Sequence, residues 1–184
     1  FAYSHGRAAG MWQFIPGTGK NYGMKQTWWY DGRRDVIAST EGAIKYLQRL
    51  HKLFDGNWLH ALAAYNSGEG RVMRAIRNNK RRGKPTDFWS LDLPRETRAY
   101  VPKLLALSDI LANQQQYTFD WPEISNQPVI EIVDVGSQID LAMAAKFAGL
   151  TTEELHALNP GFNRWATDPD GPHRLVVPKR VAET

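Results

Sequence analysis

Three short stretches of the 184-residue chain set an amide or a phenol beside small residues. The first is Gly10-Met11-Trp12-Gln13, with Ser4 shortly before it. The second is Ala63-Ala64-Tyr65-Asn66, followed by Ser67-Gly68. The third is Glu96-Thr97-Arg98-Ala99-Tyr100-Val101. Amides and phenols both donate and accept hydrogen bonds, so they match sugar hydroxyls and N-acetyl groups. Small neighbours let a bulky chain come close to the backbone. Other chemistries are poorly provided for. The absence of cysteine excludes thiolate nucleophiles, zinc–thiolate sites and disulfides. The five histidines show no His-x-x-His or His-Glu-x-x-His spacing, so no metal site and no cofactor are expected. Glu41, Glu69 and Glu96 each read more simply as a solvated helix charge or cap than as a catalytic acid.

The elements that must position these groups are mostly helical. In residues 35–54, Val36, Ile37, Ala43, Ile44, Leu47, Leu50 and Phe54 share one broad face, and Asp35 is placed to cap the helix. Residues 57–79 read as two helices split at Ser67-Gly68, with Leu59, Leu62, Ala63, Val72, Met73 and Ile76 as core. A further helix covers 93–113, with Pro94 near its start and Pro102 expected to kink or break it. Gly17, Gly19, Gly23 and Gly32 predict a loop over 16–34. Within it, Trp28-Trp29-Tyr30 reads equally as a ligand wall or as packing. Residues 114–128 are polar and proline-containing, as in a linker. Beyond them, Val129–Val135 and Arg174–Pro178 read as strands flanking two short helices, the second capped by Thr151 or Thr152. The expected fold class is mainly α, followed by a small α+β (βααβ) unit.

The three stretches, in this order, resemble family-23 lytic transglycosylases, whose fold is related to goose lysozyme. Ala2, Ser4, Gly10, Met11, Trp12 and Gln13 match the family's first two motifs. Ala64, Tyr65, Asn66 and Gly68 match its Ala-Tyr-Asn-x-Gly, and Glu96, Thr97, Tyr100 and Val101 its Glu-Thr-x-x-Tyr-Val. The resemblance implies cleavage of the β-1,4 bond between N-acetylmuramic acid and N-acetylglucosamine in peptidoglycan, leaving 1,6-anhydromuramyl ends. It implies that the three stretches converge on a glycan groove. Ser4, Met11, Trp12, Gln13, Tyr65, Asn66 and Tyr100 would bind substrate there, with Tyr65 and Tyr100 also supporting catalysis. It places the family's catalytic glutamate about six residues before Phe1, so the chain is expected to be a fragment that is inactive but still binds. A goose-type lysozyme hydrolase and a catalytically dead wall-binding scaffold are the competing readings.

The implied boundaries are 1–115 for the catalytic domain, 116–128 for a linker, 129–178 for the second domain and 179–184 for a tail. The second domain resembles a LysM module. Asp140-Leu141, Ala145, Gly149, Leu155, Leu158-Asn159 and Leu175-x-Val177-Pro178 follow that pattern. Gly136 is displaced from it, and the loop over 160–173 is long, so a structural brace and a glycan-binding module are equally expected. The net charge of +4 favours acidic partners weakly. The basic run from Arg71 to Lys84 lacks interleaved aromatic residues, so no nucleic acid is expected. The expected partners are peptidoglycan strands, with the protein a monomer in the periplasm. Membrane anchoring, to the outer membrane, would run through segments outside this chain.

Overall fold

The computed structural model describes residues 3, 4 and 6–179. Ala2 of the first motif and the tail past residue 179 lie outside the described residues. The chain forms two compact units, grouped by contact rather than by chain order: residues 1–43 with 125–184, and residues 44–124. Among the described residues the fold is mainly helical with one small antiparallel sheet.

The first unit opens with α1 (Pro16–Asn21). Two glycines in six residues disguise this helix in the sequence. Proline at its first position is already in helical geometry, and a side-chain amide ties the helix down: Gln26 Nε2 donates to the Pro16 carbonyl at 2.9 Å. α2 (Val36–Leu53) starts here and continues into the second unit. Asp35 caps it as expected, its carboxylate accepting from the Ala38 N–H at 2.8 Å. The C-terminal part contributes β1 (Ile130–Asp134), α6 (Leu141–Phe147), α7 (Thr152–Leu158) and β2 (Arg174–Pro178). β1 and β2 pair antiparallel, Ile132 opposite Val176. Thr151 and Glu154 close a reciprocal capping box at the start of α7. Leu141, Ala145, Leu155, Leu175 and Val177 form the core of this βααβ body, and Tyr30 and Phe162 pack into it.

The long loop over 160–173 is spent on residues 25–35. The Asp31 N–H donates to the Gly161 carbonyl (2.8 Å) and the Asn163 N–H to that of Trp29 (2.7 Å). Thr27 Oγ1 donates to the buried Asp168 carboxylate at 2.7 Å, and Lys25 pairs with the same carboxylate at 3.2 Å. Arg174 reaches Asp35 at 3.2 Å. Gly161 allows this approach, since a Cβ there would lie 2.8 Å from the Tyr30 ring. The Trp28-Trp29-Tyr30 triplet is thereby divided. Tyr30 is buried with its hydroxyl on Asp35 (2.7 Å), whereas Trp28 is exposed.

The second unit is built on α3 (Trp58–Ser67), which packs on α4 (Glu69–Arg81) and on α5 (Arg95–Ala112). Ala61, Ala63 and Ala64 are fully buried, and their small size permits these close helix contacts. Leu50, Val72, Phe88, Leu91 and Val101 complete the core. Gly68 sits at φ +89° between α3 and α4, which makes the split at Ser67-Gly68 a sharp one. α5 runs uninterrupted through Pro102. Ile44 and Met73 point to solvent instead of the core, because the buried stripes of α2 and α4 run through Leu50 and through Val72, Ala75 and Asn79.

Candidate glycan-binding groups

In the first unit, residues 7–14 form a tight loop closed by an Ala9–Phe14 bridge. Ser4 is exposed at its entrance, and its Oγ accepts from the Ala8 N–H at 3.0 Å. Gly10 adopts φ +77° where the loop passes the Arg33 backbone. Arg33 is the post on which the loop hangs. Its guanidinium donates to the Arg7 carbonyl (2.8 Å) and the Phe14 carbonyl (3.2 Å), and it is held by Asp31 through bonds of 2.9 and 2.7 Å. Met11 and Gln13 are exposed at the tip of this loop. Trp12 is half-buried, its indole N–H donating to Thr40 Oγ1 at 2.8 Å. Gln13 has φ +52°, an uncommon conformation for a side-chain-bearing residue, and its amide donates to the Gly10 carbonyl at 2.7 Å. This conformation and the bond to Gly10 fix the Gln13 side chain at the loop tip.

In the second unit, Tyr65, Asn66 and Tyr100 come together where α3 ends and α5 begins. The Asn66 amide is clamped: Thr97 Oγ1 donates to its carbonyl oxygen at 2.8 Å, and its nitrogen donates to Glu96 Oε1 at 3.2 Å. These partners fix the amide orientation, since a flipped amide would face its oxygen to the Glu96 carboxylate. Thr97 is buried and Glu96 exposed, so one clamp jaw is set in the core and the other is open to water. Tyr65 lies against Tyr46, ring centroids 5.5 Å apart, and both pack on the core beside Tyr100. Burial pushes the Tyr65 hydroxyl well above the usual phenol range, with Tyr100 and Tyr46 adding to the effect. Burial also raises Tyr100. Both tyrosines therefore remain neutral phenols, able to donate as well as accept.

The carboxylates nearby are committed. The Arg49 guanidinium hydrogen-bonded to Glu69 holds that carboxyl below the usual range, which keeps it ionised. Glu69 is therefore not set up as a protonated acid. Glu96 serves the Asn66 amide. Tyr46, Thr40 and Arg33 were not legible as site residues: the first two lie on α2 without a distinguishing neighbour, and Arg33 acts only through backbone carbonyls far off in sequence. Thr97→Val is expected to lower stability by about 1–2 kcal/mol, because the Asn66 carbonyl loses its buried donor. The Asn66 side-chain amide signals in an NMR spectrum should shift and broaden at the same time. An unchanged pair of signals would show that the clamp does not hold the amide.

The chain matches the family described as Transglycosylase SLT domain over residues 1–88. It matches the family described as Lytic transglycosylase MltD, LysM-like domain, over residues 129–184. It is 51% identical over 182 residues to the membrane-bound lytic murein transglycosylase D of Escherichia coli (strain K12), and equally to that of Escherichia coli O6:H1 (strain CFT073). Those alignments cover 99% of this chain and 40% of the length of either relative. A protein of Alteromonas sp. (strain M-1) named for tributyltin chloride resistance is 39% identical over 140 residues, 76% of this chain and 66% of its own length. The chain thus carries a transglycosylase SLT domain followed by a LysM-like domain of the kind found in lytic transglycosylase MltD.

Proposed function

We propose that the chain is part of a peptidoglycan lytic transglycosylase acting in the periplasm, and that it holds N-acetylated glycan strands. The observation that carries this reading is the state of the Asn66 amide. Of its two N–H donors and two acceptor lone pairs, Glu96 and Thr97 engage one each. The remaining N–H and lone pair are the complement of a secondary amide, which offers one carbonyl and one N–H. An acetamido group on a sugar is such an amide. On the second unit, Asn66 is the proposed acetamido contact, with Tyr65 and Tyr100 orienting substrate as neutral phenols. On the first unit, Ser4, Met11, Trp12 and Gln13 are the proposed glycan contacts, and Gln13 offers a second amide.

The chemistry in this reading uses one carboxylic acid. A glutamic acid in an apolar setting protonates the glycosidic oxygen as the C1–O bond breaks. The substrate's own acetamido oxygen supports C1. The glutamate then takes the proton of the C6 hydroxyl while O6 bonds to C1, so a 1,6-anhydro ring forms and no water is consumed. The acid is assigned to no residue of this chain. Arg49 keeps Glu69 ionised, and Glu96 is occupied by Asn66.

Among the described residues no helix is long and apolar enough to cross a membrane. The two Escherichia coli relatives are named as membrane-bound. Attachment to the outer membrane is therefore proposed for segments other than those described.

Digestion of purified peptidoglycan by the full-length protein is expected to release muropeptides whose reducing ends are lighter by one water than hydrolysis products, as read by mass spectrometry. Ends that have gained water would move the protein to the goose-type lysozyme hydrolases. The 184-residue chain by itself is expected to bind such fragments without turning them over.

A further inference from the structure

Trp28 and Trp165 lie outside the groups above. They are 55% and 62% exposed, yet they do not stand alone. With Trp29 they form a cluster whose centroids lie 4.8, 5.9 and 5.4 Å apart, with Trp28 nearly edge-on to both partners at 89° and 85°. Two segments far apart in sequence are brought together to build it. The Asn163 N–H bonds the Trp29 carbonyl at 2.7 Å, and Arg34 holds the Asn163 side chain at 3.0 Å. Indoles gain much from burial, so a fixed cluster with two rings in solvent leaves that gain unrealised.

Arg164 makes the cluster more specific. Its guanidinium carbon lies 3.9 Å from the Trp28 ring centroid. Among the described residues it makes no ion pair, and its buried Nε has no hydrogen-bond partner. A positive charge therefore rests on the aromatic ledge without a counter-charge. The flanking residues in the chain are polar: Gln26 and Thr27 on one segment, Asn163 on the other. An apolar helix or a lipid layer would call for an apolar surround. Separate ring faces in a polar frame suit a pyranose, whose C–H face is apolar and whose rim carries hydroxyls. The unmatched guanidinium calls for an acid on that sugar.

We propose that Trp28, Trp165 and Arg164 form a glycan-binding ledge that takes one sugar of a carboxylate-bearing strand. The ring stacks on an exposed indole and the carboxylate pairs with Arg164. The ledge shares no residue with the Gln13 or Asn66 groups. It rests on the reading that this protein handles peptidoglycan, and it gives a polymer of repeating sugars another point of attachment, which raises avidity.

The test uses the 184-residue chain, with soluble peptidoglycan strands and neutral chitin oligomers as probes and tryptophan fluorescence as the signal. Sedimentation with insoluble peptidoglycan runs in parallel. The double variant W28A/W165A is expected to lose roughly tenfold in affinity for both glycans. R164Q is expected to lose affinity for the carboxylate-bearing strands and to bind chitin oligomers as before. Because R164Q leaves all three indoles in place, it decides the matter even if the double variant melts early. Wild-type binding by both variants, alongside loss in N66A, would overturn the ledge and leave the Asn66 reading standing. No saturable response to any glycan would overturn both. Tryptophan-dependent binding to phosphatidylglycerol vesicles without a glycan response would make the ledge a membrane contact and overturn the proposal.

Discussion

Gly10→Ala is expected to destabilise the first unit by on the order of 3–5 kcal/mol, a large loss for one methyl group. The cause is backbone, not side chain. A Cβ at Gly10 would lie 1.8 Å from the Arg33 carbonyl oxygen, 2.8 Å from its carbon and 3.2 Å from the Arg34 Cα. None of these atoms can rotate away, so the chain itself must move. The residue also sits at φ +77°, where alanine is strained. The displacement would be felt at the proposed binding groups. Arg33 carries the Arg7 and Phe14 carbonyls, and the loop between them presents Trp12 and Gln13. Thermal unfolding should show a clear drop in Tm, and the Trp12 indole N–H signal should leave its wild-type position as its bond to Thr40 is disturbed. Gly17→Ala is the control. Its Cβ meets nothing within 4 Å and it lies in α1, so the change should be neutral or stabilising by up to about 1 kcal/mol. A G10A protein that melts with the wild type would show that Arg33 does not fix this loop.

That loop also marks the limit of what sequence reading reaches. The helices of the second unit were legible because their signals are local. Apolar residues recur at helical spacing, and Gly68 breaks α3 from α4. The βααβ body was legible for the same reason, down to a threonine cap narrowed to Thr151 or Thr152, of which the fold uses Thr151. α1 was not, since two glycines lower its intrinsic propensity and its support comes from Gln26, outside the helix. The loop over 160–173 showed its length but not its purpose. Its partners are residues 25–35, more than a hundred positions away, and no local pattern announces such a contact. The aromatic triplet posed the same difficulty: adjacent rings look alike in sequence, and only the long-range packing sends Tyr30 inward and leaves Trp28 outside. At the proposed binding groups the motif residues could be named, but their supports could not. Thr40, Tyr46 and Arg33 act through distances that spacing does not encode.

Asp168→Ala is expected to cost about 2–4 kcal/mol at neutral pH, because one carboxylate joins the long loop to residues 25–27. Asp168 is 1% exposed. It accepts from Thr27 Oγ1 at 2.7 Å and from the Asp170 N–H at 2.9 Å, and it pairs with Lys25 at 3.2 Å. Removing it strands the Thr27 hydroxyl and frees the loop. Lys25→Ala should cost less, since its side chain is 34% exposed and water screens its share. The same residue sets a pH dependence. Burial alone would raise the Asp168 carboxyl, but hydrogen bonds from Thr27 and the Asp170 N–H, with Lys25 beside them, outweigh it and hold the carboxyl below its ordinary value. A carboxyl depressed in the folded state stabilises the fold above the unfolded value, near 4, and that contribution fades as pH falls through the folded value. Asp168→Asn keeps the shape and removes the titration. The Tm gap between wild type and D168N should therefore be widest near pH 7 and narrow steadily below about pH 4. A gap that stays constant from neutral to acid pH would mean that the charge of Asp168 contributes nothing to the brace, and that shape alone holds the loop over 160–173 in place.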